Sequence, residues 1–194
     1  MSYGNKFHTG GNVVDGELAK SPYSQVYDNE EYALGTVRIQ SPDETASEAH
    51  TADLADTSNP DNLLGLKGAR EWVFVKAFAE ISQYSMAIVN AVGTSYEGKN
   101  VASDDDEVFD LIGVAQVTIA AGKFGWVCKR GEVVVVGTGV TAGNFLTSDG
   151  TTAAGSLKPS TTAGDIVGRG LTATNTLPSG STLSGKIGAY ISIP

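Results

Sequence analysis

The sequence predicts a mainly β protein, a compact antiparallel β-sandwich or barrel-like domain carrying an extended N-terminal arm. Three observations predict it. The stretch from Leu111 to Leu146 reads without a break as β-branched and aromatic runs separated by glycine turns. Glycine is abundant, at 24 of 194 residues, beside many Thr, Ser and Ala and only two methionines, a balance that favours strands and turns over helices. No long helical period of apolar residues runs through the region after residue 65.

Residues 1–65 read as the arm. They lack a sustained period of either kind and are punctuated by Gly10-Gly11, Ser21-Pro22, Ser41-Pro42 and Asn59-Pro60. They hold three basic residues, Lys6, Lys20 and Arg38, against eleven carboxylates, so this third of the chain carries −8 of the net −9. Tyr23, Tyr27 and Tyr32 recur within it, and Tyr32 to Gln40 is a candidate strand. Aromatics on a segment too polar to fold alone either anchor on another surface, with Tyr23, Tyr27, Tyr32 and Arg38 as the contacts, or pack back over their own domain. Asp43 to Asn62 is either a short helix, capped at Ser41 or Asp43 and stopped by Pro60, or a loop.

Residues 66–194 read as the β-domain. Ala69 to Ala79 opens it, with Trp72, Phe74 and Phe78 alternating against Val73 and Val75. Glu80 to Val92 is read as a turn at Ser82-Gln83 followed by a strand, MAIVNAV, in preference to a helix spaced by Ile81, Tyr84 and Ile88. Ser95 to Asp110 is a connection. Ile112 to Ile119 and Phe124 to Lys129 are two strands joined by a turn at Ala121-Gly122-Lys123, and a further turn at Arg130-Gly131 leads to Glu132 to Val136, whose valines predict burial on both faces. Trp72 and Trp126 are the large core or oligomer-interface candidates. Beyond them lie a hairpin at Asp149-Gly150, a strand from Ile166 to Ala173, and a closing strand from Lys186 to Ile193 with Ile187, Ala189, Ile191 and Ile193 on one face. Four glycines, Gly122, Gly143, Gly164 and Gly185, recur at a 21-residue spacing, although the sequences between them do not match.

No reaction chemistry emerges. Gly137, Gly139 and Ala142 follow a valine strand in the form of a dinucleotide fingerprint, but the residues after them do not open the helix whose N-terminus would face a pyrophosphate. Asp104-Asp105-Asp106-Glu107 lacks the alternation and central glycine of a calcium loop, and His8 and His50 have no partner at a metal-ligand spacing. The single cysteine, Cys128, lies in a strand and reads as a small buried hydrophobe, consistent with folding in a reducing cytoplasm. The expectation is a protein that is not an enzyme and takes no cofactor or metal. The acidic balance argues against nucleic acid, and the absence of an apolar leader or an apolar run of ~18 residues argues against a signal peptide and a membrane span.

Five segments share a likeness: EWVFVKA at 71–77, IGVA at 112–115, IAAGKFGWV at 119–127, RGEV at 130–133 and IVGRGL at 166–171. Together they resemble the head decoration, or cement, proteins encoded beside the major capsid protein in many tailed bacteriophages. The resemblance covers residues 66–194, about two-thirds of the chain. It implies a compact β-domain on the outer capsid surface of the virion, made in the host cytoplasm, trimeric, bound to the major capsid protein, with the arm reaching across neighbouring subunits. It transfers no catalytic residue. Two departures stand out: Ile81-Ser82-Gln83-Tyr84-Ser85 replaces a glycine turn common after the first strand, and the acidic arm is longer than a minimal one. The alternative is a head fibre or host-surface module whose Thr/Ser/Asn loops after Gly143 contact polysaccharide.

Overall fold

The computed structural model describes residues 13–14, 17–18, 23, 25–42, 65–89, 96–101, 110–149, 154–162, 166–180 and 182–193. In chain order the strands are β1 (Val13–Val14), β2 (Glu17–Leu18), β3 (Val26–Tyr27), β4 (Val37–Gln40), β5 (Arg70–Ala77), β6 (Met86–Val89) and β7 (Glu97–Asn100). There follow β8 (Leu111–Ala115), β9 (Phe124–Val136), β10 (Phe145–Asp149), β11 (Ser156–Pro159), β12 (Gly168–Gly170) and β13 (Lys186–Ser192). The fold is mainly β, as the glycine-punctuated runs predict.

Among the described residues β1 and β2 pair with each other, and the other eleven strands form one continuous sheet. Part of it closes on itself. β5 pairs with β9, β9 with β8, β8 with β6, β6 with β7, and β7 returns to β5. This five-stranded ring is narrow enough to be filled by side chains alone. Inside lie Val73, Val75 and Ala77 of β5, Ala87 of β6, Ile112 and Ala115 of β8 and Val127 of β9, with Ile81 and Ile119 joined by a bridge at one end. All but one of the strand pairings are antiparallel, the exception being the short parallel ladder of β5 with β7.

The other half of the sheet runs β11-β10-β12-β13-β9. Its inner face carries Val133, Val135, Ile187, Ala189 and Ile191, and these pack with Trp72, Phe74, Trp126 and Cys128 from the outer wall of the ring in one core cluster. The closing strand therefore has the inward face its alternation predicts, with Ile187, Ala189, Ile191 and Ile193 all buried. Val134, facing the opposite way, is covered by Leu66, Tyr84 and Leu177, so the valine run is buried on both sides as expected.

β9 corrects one expectation. No turn forms at Arg130-Gly131; the two short strands expected there are a single strand of 13 residues. Its first half pairs with β5, ending at Glu71 opposite Arg130, and its second half pairs with β13, from Arg130 opposite Ser192 to Val136 opposite Lys186. Gly131 sits where the partner changes, beside a register shift between Glu71 and Trp72. Its φ is +119°, and a Cβ there would fall 2.7 Å from the Ala69 carbonyl oxygen, so the glycine serves a close backbone crossing within a strand.

Smaller differences have equally local causes. β6 supplies the strand preferred after Ser82-Gln83, and Tyr84, with φ of 62°, closes the turn before it, where related chains were expected to use glycine. β10 and β11 form the expected hairpin, but Asp149 pairs with Ser156, so its loop is longer than a two-residue turn. β12 is three residues where eight were expected, although just beyond its ends Val167 N–H still donates to the Leu146 carbonyl of β10 and Leu171 N–H to the Gly188 carbonyl of β13. Gly122, Gly143 and Gly185 each have positive φ in a turn just before a strand; Gly164 lies outside the described residues. His8, His50, the 104–107 acidic cluster and the 43–62 helix-or-loop segment also lie outside them.

Candidate functional site

Residues 23–42 of the arm run along the β-domain and pair with it. β3 pairs Val26 and Tyr27 with Gly125 and Phe124 of β9, and β4 pairs Val37 to Gln40 with Val73 to Arg70 of β5. Between these strands the aromatic residues of the arm meet those of the ring's outer wall. Tyr23, 7% exposed, stacks on Trp72 at 4.9 Å between centroids and meets Trp126 edge-on at 5.8 Å. Tyr27 and Tyr32 meet Phe74 edge-on at 5.7 and 5.2 Å, and Phe124 stacks on Phe74 at 6.1 Å. Arg38 extends its guanidinium over Tyr32, at 4.6 Å from the centroid, and towards Trp126 at 5.5 Å.

In this placement Tyr23 is buried, while Tyr27, Tyr32 and Arg38 are half-buried and keep part of their surface open to solvent. Their rings and the guanidinium are engaged with this chain's own Trp72, Phe74 and Trp126. Trp72 and Trp126 lie on the face of β5 and β9 that points away from the ring interior, and the arm and the second sheet together remove them from water. Both tryptophans are fully buried within one chain. Gln40, at the end of β4, accepts a hydrogen bond from the Trp72 indole at 2.9 Å, and Arg70 lies over the same ring at 5.0 Å. Neither Gln40 nor Arg70 is recognisable as a partner of Trp72 from the sequence, since the contact depends on the β4–β5 register.

Electrostatics follow the packing. Burial raises the Tyr27 phenol, with Tyr32 adding to the shift and the Trp126 indole and Arg38 partly offsetting it. Asp28, just beyond β3, is lowered by the Lys123 ammonium, which donates to its carboxylate at 2.8 Å and ties the arm to the turn before β9. Both groups are exposed, so this pair adds little to stability.

Two of the surfaces open to solvent carry large apolar side chains on paired strands. On β4, Val37 and Ile39 point outward, with Ile39 65% exposed. On the second sheet, the face opposite the core carries a row of cross-strand neighbours: Phe145 of β10 opposite Arg169 of β12, Arg169 opposite Tyr190 of β13, and Tyr190 opposite Glu132 of β9. Phe145 is 56% and Tyr190 43% exposed. Beside this row, Thr147, Lys158 and the hydroxyls of Ser160, Thr161 and Thr162 line a shallow polar depression, with the Lys158 ammonium 3.5 Å from the Asp149 carboxylate.

Among the described residues no group of three or more His, Cys, Asp or Glu is placed to hold a metal ion, and no helix is long and apolar enough to cross a membrane. Gly137 to Ala142 forms a turn that leads into β10, so the dinucleotide-like spacing has no helix behind it.

No protein-family model matches the chain, and no curated protein matches it. Among solved structures it is similar to the N-terminal base of the head fibre protein gp8.5 of bacteriophage phi29. The two are 15% identical, with a TM-score of 0.45 over 62% of this chain and 92% of that one.

Proposed function

We propose that this chain is a structural protein of a tailed-bacteriophage head, attached to the outer surface of the capsid lattice and stabilising it there. The observation that carries the reading is where the likeness to decoration proteins falls. The segments 71–77, 112–115, 119–127 and 130–133 supply β5, β8 and β9, three of the five strands of the closed ring, and 166–171 contains β12 of the adjoining sheet. The quoted residues are thus one connected framework rather than scattered matches. A domain of this kind acts through its surfaces, gaining avidity from several weak contacts when it is a trimer on a repeating lattice.

The acidic N-terminal third gives that attachment its electrostatic character, favouring a basic surface on the major capsid protein. With Tyr23, Tyr27 and Tyr32 engaged internally, the described part of the arm contributes by shaping the domain, and its exposed β4 edge is the contact surface nearest to it. Copy number in purified particles tests the reading: cement approaches the number of capsid subunits, whereas a fibre or host-surface module is scarce. A handful of copies per particle would replace this reading with the alternative. Saturable binding of the purified chain to heads lacking it, counted per capsid subunit, gives the same discrimination.

A further inference from the structure

We infer that the solvent face of the second sheet is a binding site for an acidic saccharide, centred on Phe145, Arg169 and Tyr190. The inference goes beyond capsid attachment and does not depend on it. Its starting point is the register: Arg169 is paired with Phe145 on one side and Tyr190 on the other, so three side chains from β10, β12 and β13 stand side by side on one face. Adjacent strands are ~4.8 Å apart, which puts the two rings roughly 10 Å from each other with a guanidinium between them. β10 and β13 bury Leu146 and Ile191 on the other face, so the aromatics on this one are not an overflow of the core.

Arg169 forms no ion pair or side-chain hydrogen bond with any described residue, and its guanidinium lies beside Gly143, where a Cβ would stand 3.7 Å from Nη2. Among the described residues, the carboxylates nearby are engaged otherwise. Glu132, at the end of the row, accepts the Lys67 backbone N–H at 2.6 Å, and Asp149 faces Lys158. From residue 124 onward the chain has five Lys and Arg against three carboxylates, although the whole chain carries −9, so this sheet is the part of the molecule suited to an anion.

The chemistry of the row selects a sugar acid. A pyranose presents an apolar C–H face that covers an exposed ring, and its carboxylate matches the planar fork of a guanidinium through two parallel hydrogen bonds. Thr147 stands two residues along β10 from Phe145, hence on the same face, and leads to Lys158 and the hydroxyls of Ser160 to Thr162, which suit the hydroxyls of a neighbouring sugar unit. An apolar partner would leave Arg169 desolvated without a counter-charge, and a plain polyanion would leave the rings unused.

The test uses the full chain with polygalacturonate as probe, dextran as the neutral polymer and polyglutamate as the anionic polymer without sugar rings, read by affinity electrophoresis and calorimetry. Polygalacturonate is expected to bind, with dextran and polyglutamate at least about tenfold weaker. Arg169→Gln and Tyr190→Ala are each expected to weaken polygalacturonate binding by about tenfold with the melting temperature unchanged, and Arg169→Lys to restore only part of the loss. No binding of polygalacturonate, equal binding of polyglutamate, or undiminished binding by Arg169→Gln would each overturn the assignment. So would a change in sedimentation on Tyr190→Ala or Phe145→Ala, which would make this face a contact between copies of the chain.

Discussion

Tyr23 behaves as a core residue delivered by the arm, with its ring flat on Trp72 and its neighbour Trp126 closing the side. Tyr23→Ala opens a cavity between two buried indoles and is expected to cost about 3 kcal/mol in urea unfolding, whereas Asp28→Asn, at the exposed pair with Lys123, should leave the transition where it is. Tyr27 gives a pH signature. Because its folded-state value is raised, the phenol ionises first in the unfolded chain, so its contribution is intact below the ordinary value of 10.0 and is lost as pH rises through the higher folded value. Stability should therefore fall above pH 10, and Tyr27→Phe should flatten that part of the fall. At Gly131 the combination of φ +119° and the Ala69 carbonyl predicts that Gly131→Ala destabilises by about 2 kcal/mol, measured by the same unfolding.

Among the strands, β9 has the widest connections, since it belongs to both the ring and the second sheet. Opening it breaks ladders with β3, β5, β8 and β13 together, so amide exchange should be slowest in β9 and the paired part of β5 and fastest along β4 and β11. Slower exchange in β4 than in β9 would contradict the connectivity. β3 and β4 are also why the arm is not dispensable. A chain beginning at residue 66 loses both strands and uncovers Trp72 and Trp126; it is expected to melt more than about 10 °C lower, with its tryptophan emission shifted to the red. Unchanged melting and emission would mean that the arm only rests on the domain.

For the molecule as a whole, charge and surface are divided. The first 65 residues hold −8 of the −9, while the aromatic and basic row stands on the second sheet. If the acidic portion faces a basic lattice, attachment to heads should weaken steeply between ~0.05 and ~0.5 M salt, because the Debye length shrinks by about threefold over that range. Salt-independent attachment would assign the footing to an apolar surface such as Val37 and Ile39 of β4.

By itself the sequence determined the class and most strands, for reasons that act locally. Alternation in Arg70 to Ala77 and in Lys186 to Ser192 sets which side chains turn inward, and Gly122 marks a turn because Lys123 N–H must reach the Ala120 carbonyl. Tertiary structure decided what depends on distant partners. Arg130-Gly131 has the composition of a turn, and only the backbone crossing at Ala69 and the change of partner from β5 to β13 make it the middle of a strand. Tyr23, Tyr27 and Tyr32 have the composition of external anchors, and they pack on this chain, Tyr23 buried and the other two half-buried, because β5 and β9 turn Trp72, Phe74 and Trp126 outward from the ring. Phe145, Arg169 and Tyr190 lie far apart in the chain and form one surface through register alone, which no local pattern encodes.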